Sequence, residues 1–153
     1  MNTTRTLRVV GVLAAVSFVA AVAIAQNGGL ALARVRPDGL QFAKMPNGTS
    51  QANVIGEIAK AGPYAVRTIL PAGLRLQPHF HPEDRVVLVV SGTLSVGYGE
   101  RWDDAKLVAL PAGSVFTEPA KQPHFAFAVN GDVVLHVTGN GPSATTWVTQ
   151  GPQ

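Results

Sequence analysis

From Tyr64 onward, apolar and polar residues alternate in short β-branched runs that break at proline and glycine: YAVRTIL, LRLQPHFH, RVVLVVS, TLSVGYG, KLVALPAG, SVFTEP, HFAFAV, DVVLHVTG and TTWVTQ. A period of two puts successive side chains on opposite faces of a strand. No amphipathic helix separates the runs. The pattern therefore predicts an all-β domain over residues 63–150, an antiparallel sandwich or barrel of eight or nine strands. Asn130-Gly131 is the clearest turn, because both residues tolerate positive φ and strand-like residues flank them. Read as a two-residue hairpin loop, it pairs Val129 with Asp132, Phe125 with His136 and His124 with Val137. Paired residues share a face, so His136 points away from the face that carries His124.

The front of the chain follows a different pattern. Met1 to Arg8 carries two arginines and no acid, Val9 to Ile24 is apolar or small apart from Ser17, and Ala23-Ile24-Ala25 places small residues where a signal peptidase reads. Residues 1–25 are expected to be a secretory signal peptide, sending the protein to the periplasm or out of the cell. The alternative is an uncleaved membrane anchor, although about 17 residues at 1.5 Å each reach only ~25 Å. Residues 26–62 are rich in Gly, Asn and Ala with weak periodicity. They read as a poorly structured lead-in that adds an edge strand or a short helix.

Composition changes this picture in three ways. A chain of 153 residues with 46% apolar and 14% charged content suits one folded domain plus a leader. Without Arg5 and Arg8, ten basic residues face nine acidic ones, so the formal charge of +3 is mostly a property of the leader. No basic stripe remains to follow a phosphate backbone, and nucleic acid is not an expected partner. There is no cysteine, so any metal must be held by histidine, carboxylate or water.

The stretch QPHFHPEDRVVLVVSG, from Gln77 to Gly92, carries the candidate chemistry. His79 and His81 project from one face of a strand with Cβ atoms roughly 7 Å apart, close enough for two imidazoles to converge on one ion. Counting in steps of two adds Gln77 and Arg75 to that face, and Arg85 beyond the histidines. Arg75, Gln77 and Arg85 are thus candidate contacts for a small molecule, a carboxylate in particular. No G-x-S-x-G setting, phosphate-cradling glycine loop or paired-carboxylate arrangement is present to support a serine hydrolase, nucleotide or glycosidase reading.

The spacing resembles the first motif of the cupin superfamily: a glycine, five residues, His-x-His, three or four residues, Glu, six residues and a glycine. Gly73, His79, His81 and Gly92 fall in register, with Arg85 where the family's Glu stands. The second motif is matched by Gly113, Pro119 and His124, with Lys121 in place of its second glycine and Ala128 in place of its asparagine. A rival alignment on Pro111–Gly113 would put Phe116 in the ligand's position, but a phenyl ring cannot ligate. The resemblance covers roughly Tyr64 to Val137. It implies a single cupin-type β-barrel or jelly roll whose buried metal is held by three His and one Glu.

His79, His81 and His124 are accordingly the expected metal ligands, and the ion is expected to be Fe, Mn, Ni or Zn. Arg85 conflicts with this set, since two positive units facing one at ~5 Å cost several kcal/mol even at an effective dielectric of ~20. Three resolutions are open: no metal, an Arg85 that pairs with Glu83 or Asp84, or an anion lying between the metal and the arginine. Glu83 shares the face by parity and could substitute for the missing carboxylate. On this reading Arg85→Glu would restore the family's ligand set. Two functions remain open, a metal-dependent oxygenase or isomerase and a non-catalytic small-ligand module. The mature chain is expected to be free of the membrane and to form a homodimer.

Overall fold

The computed structural model describes residue 30 and residues 32–149, so the expected leader lies outside the described residues. Eleven strands follow in chain order: β1 (Ala43–Lys44), β2 (Ser50–Ile55), β3 (Gly62–Leu70), β4 (Arg75–Phe80), β5 (Arg85–Ser91), β6 (Thr93–Tyr98), β7 (Val108–Pro111), β8 (Val115–Glu118), β9 (His124–Phe127), β10 (Val133–Gly141) and β11 (Thr146–Trp147). They form two antiparallel sheets, one ordered β1-β2-β3-β10-β5-β8 and the other β11-β4-β9-β6-β7. From β3 onward successive strands change sheets, except at β6 and β7, which pair in the second, and this is the jelly-roll arrangement the period-two runs predict.

Alternation decides the core. Val66, Leu70, Val87, Val89, Leu135 and Val137 from the first sheet meet Leu94, Val96 and Ala126 from the second, all buried, while Val86, Leu88 and Val90 on the opposite face of β5 are exposed. The lead-in contributes more than a loose approach, because β2 pairs with β3 from Ser50↔Ile69 to Ile55↔Ala65 and extends the first sheet.

Two local readings are corrected. Asn130-Gly131 does not close a hairpin: β9 lies in the second sheet between β4 and β6, and β10 lies in the first between β3 and β5. β10 pairs there with β3 and β5, and from that sheet Val133, Leu135 and Val137 point into the core. The connection is instead tied down by the Asp132 carboxylate, which accepts from the Ala72 amide at 2.9 Å. His136 nevertheless points outward, since β10 alternates buried and half-buried from Val133 to Thr138. The second correction is a register shift on β4 between Leu76, which faces Ala126, and His79, which faces His124. An extra residue in a strand reverses the parity behind it. Leu76 thus shares the inner face with His79, and Arg75 and Gln77 do not.

Across β6 and β9, Phe125 is fully buried against Gly97, whose added Cβ would lie 2.3 Å from the ring. Trp102 caps the same ring with centroids 5.0 Å apart. The ring therefore has little room to retreat. Gly97→Ala should cost about 1–3 kcal/mol of stability, as overpacking does in a close-packed interior. Urea unfolding would measure it, and a variant as stable as the parent would contradict this packing.

Candidate metal centre

Three histidines meet at one end of the barrel. His79 and His124 face each other directly across β4 and β9, and His81 lies just past the end of β4. Their ring centroids are 4.4 to 5.2 Å apart, one ligand atom from each lies within 4.8 Å of the others, and all three are buried. Pro78 and Pro123 stand directly before His79 and His124 and Pro82 directly after His81, and each restricts the residue before it to extended conformations. The chain around His81 is also pinned from β9's approach, where the Lys121 amide donates to the His81 carbonyl at 2.7 Å. Lys121 stands at the glycine position of the second motif and takes a glycine-like φ of 60°.

The tautomers follow from the hydrogen bonds. Nδ1 of His79 lies 2.7 Å from the Gln77 carbonyl, Nδ1 of His81 2.8 Å from the Ala144 carbonyl, and Nδ1 of His124 3.2 Å from the Gln122 carbonyl. A carbonyl only accepts, so each Nδ1 donates and each neutral ring keeps its lone pair on Nε2. Burial first, then neighbouring charge, lowers His79 and His81 to about 4, so both are neutral near pH 7. For His79 that neighbour is His124, and for His81 it is Arg85.

A carboxylate that the motif reading did not identify completes the cluster. Glu118, at the end of β8, brings Oε1 to 3.4 Å from His124 Nε2 and Oε2 to 3.5 Å from His81 Nε2. Burial alone would push its carboxyl up, but the polar contact with His124 and the charge of Arg85 outweigh this and hold it at about 2. Metal ligation requires Nε2 without a proton, and in that state these approaches set lone pair against lone pair. Among the described residues, His124 Nε2 and Glu118 Oε2 are buried without a hydrogen-bond partner. Such groups are costly to leave unpaired. The parity of VFTE could have revealed the residue, because Phe116 and Glu118 share the inner face while Val115 and Thr117 are exposed.

Arg85 faces inward, and Glu118 is its direct partner across β5 and β8. The carboxylate expected on β5 therefore comes from the neighbouring strand. The guanidinium donates from Nε to Glu83 at 2.8 Å, bonds to the Ser143 hydroxyl, and lies 3.6 Å from Glu118 Oε2. Glu83 also accepts from the Tyr64 hydroxyl at 2.6 Å, which places it behind Arg85 rather than against the histidines. Asp84 is occupied elsewhere, accepting from the Ala120 amide.

Other sequence candidates lie outside the cluster. Arg75 stacks its guanidinium 4.4 Å over Phe127 and 4.9 Å over Trp102, on the outer side of the second sheet. The Gln77 side chain is exposed, and only its carbonyl serves the site, through His79. Phe116 packs against the core.

A cavity of about 260 Å³ opens beside His79, His81, Arg85 and Glu118. Leu70, Leu76, Leu135 and Val137 form its apolar wall, and Thr49, Gln51 and Thr68 its polar side.

No protein-family model matches the chain, and no curated protein matches it. Solved structures share its fold. An RmlC-like cupin from Shewanella frigidimarina is 18% identical, with a TM-score of 0.59 over 73% of this chain and 94% of that one. The polyketide cyclase RemF from Streptomyces resistomycificus is 13% identical, with a TM-score of 0.66 over 79% and 88%. An oxalate oxidase in complex with the substrate analogue glycolate is 25% identical, with a TM-score of 0.54 over 68% of this chain and 57% of that one.

Proposed function

This chain has the fold of the cupin superfamily, and on that premise we propose that it holds a divalent transition metal ion through His79, His81 and His124 and takes a small anionic molecule into the adjoining cavity. The observation that carries this reading is the convergence of three Nε2 lone pairs, each fixed by an Nδ1–H donated to a main-chain carbonyl. Hydrogen bonds of this kind orient metal-ligating imidazoles and raise their basicity. Three imidazoles beside one carboxylate suit Fe, Mn, Ni or Zn better than Mg or Ca, which prefer oxygen donors.

When bound, such an ion supplies Lewis acidity and open positions for O₂ or an oxygen ligand, the requirement of a metal-dependent oxygenase or isomerase. The protein's residues divide the remaining work. Glu118 stays ionised beside the histidines and offsets positive charge, while Arg85 holds its far oxygen. The leucine and valine wall lines one side of the same space and offers an apolar surface to a bound molecule. Glu83 and Glu118 against Arg85 leave the buried group one unit negative, so a divalent ion would make it one unit positive. That balance favours a singly charged anion. In this reading the protein acts outside the cytoplasm, after removal of residues 1–25.

Metal analysis tests the reading. The purified full-length protein should retain about one equivalent of transition metal after desalting, and His124→Ala should retain almost none, since losing one of three imidazole ligands costs several kcal/mol, or more than ~100-fold in affinity. Full retention by the His124 variant would exclude that residue as a ligand.

A further inference from the structure

We infer that Glu83 is a specificity-determining residue: by engaging Arg85 it adapts the cavity to a singly charged molecule with an apolar body and against a dicarboxylate. This rests on the metal reading above. Arg85 is the only Lys or Arg among the described residues lining the cavity. A free guanidinium there would be a ready partner for a second carboxylate, because its fork of donors matches that geometry.

It is not free. All three of its nitrogens are committed, Nε to Glu83, one terminal nitrogen to Ser143 and the other toward Glu118. Glu83 is itself clamped by Tyr64, and the Arg85 and Glu83 side chains are each only 10% exposed, so water does little to screen the pair.

The rest of the lining offers a ligand little charge. Gln51 donates to Thr68, and the Thr49 hydroxyl donates to Asn47, so the polar side largely satisfies itself. The opposite wall is aliphatic. A dianion entering a site with one net positive unit would leave a negative unit buried, which is costly in an apolar setting. A monoanion with two adjacent oxygens and a hydrocarbon ring would leave none.

Two chelating probes test the inference, tropolonate with one negative charge and a ring body, and oxalate with two charges and no body. The full-length protein is loaded with Co(II), its metal content is measured, and each probe is titrated by Co(II) absorption and by calorimetry, referenced to its affinity for free Co(II). Referenced in this way, tropolonate should bind at least about tenfold tighter than oxalate, the factor set by ~1.4 kcal/mol. Glu83→Gln keeps an oxygen acceptor for Tyr64 and Arg85 but frees the arginine's charge. It should leave metal content unchanged and bring the two probes within about threefold, by a gain for oxalate.

Oxalate binding the wild type as tightly as tropolonate would overturn the inference. So would an unchanged ratio in a metal-loaded Glu83→Gln protein. A wild type that takes up no Co(II) would overturn the metal reading and this inference together, whereas loaded protein without selectivity would overturn only the latter.

Discussion

Arg85→Glu is expected to destabilise the metal-free protein by about 3–5 kcal/mol, the scale on which breaking a buried ion pair acts. By the family's motif alone the substitution looks like a repair, since it puts glutamate where glutamate is expected. The structure reverses its sign. Arg85 stands between two carboxylates, 2.8 Å from Glu83 and 3.6 Å from Glu118, with all three side chains nearly buried. Exchanging the cation for an anion would gather three carboxylates in one poorly hydrated space, and two unit charges at 4 Å still interact by ~4 kcal/mol at an effective dielectric of 20. The variant would fold only by protonating one carboxyl or turning one out to solvent. Arg85→Met, which removes the cation without adding an anion, should cost less. Urea unfolding of the metal-free proteins would measure both, and an Arg85→Glu protein within about 1 kcal/mol of the parent would show that the guanidinium is not the centre of this network.

Glu118→Gln should act on metal rather than on fold. The substitution keeps shape and an oxygen, while the new amide can donate to the Nε2 lone pair of His124 or His81, 3.4 and 3.5 Å from the carboxylate oxygens. Metal-free stability should therefore remain within about 1 kcal/mol, because a lost charge contact with Arg85 is offset by a hydrogen bond to an unpaired buried nitrogen. Metal affinity should fall roughly a hundredfold, equivalent to ~2.7 kcal/mol, because a negative charge and a candidate ligand oxygen vanish together. Competition against a chelator of known affinity gives the metal result, and thermal unfolding of the stripped protein gives the other. Equal metal affinity in the two proteins would reduce Glu118 to a structural partner of Arg85.

Much of this molecule could be read from local pattern. The period-two runs carry the all-β architecture, because alternation is a property of each strand by itself and needs no knowledge of its neighbours. The grouping of His79 with His81 followed from the same counting, whereas Arg85 faces inward from a different strand, β5 of the other sheet, so the count that assumed one straight strand does not account for it. The motif spacing brought in His124 from a strand more than forty residues away.

What the chain by itself determined, then, was strand identity, the alternation of faces and the histidines' residue type and spacing, all of which depend on near neighbours along the backbone. Only the tertiary structure decided which strands pair. The Asn130-Gly131 turn is equally compatible with a hairpin and with a crossover, and the pairing of β10 with β3 and β5 in the first sheet selects the crossover. The shift between Leu76 and His79 likewise depends on β9 as partner, and it removes Arg75 and Gln77 from the inner face. Glu118 is decisive for the site and leaves only a single acid in VFTEP as its trace in the sequence. Its role arises from lying opposite Arg85 across two strands about thirty residues apart, and a cross-strand charge pair is a property of register.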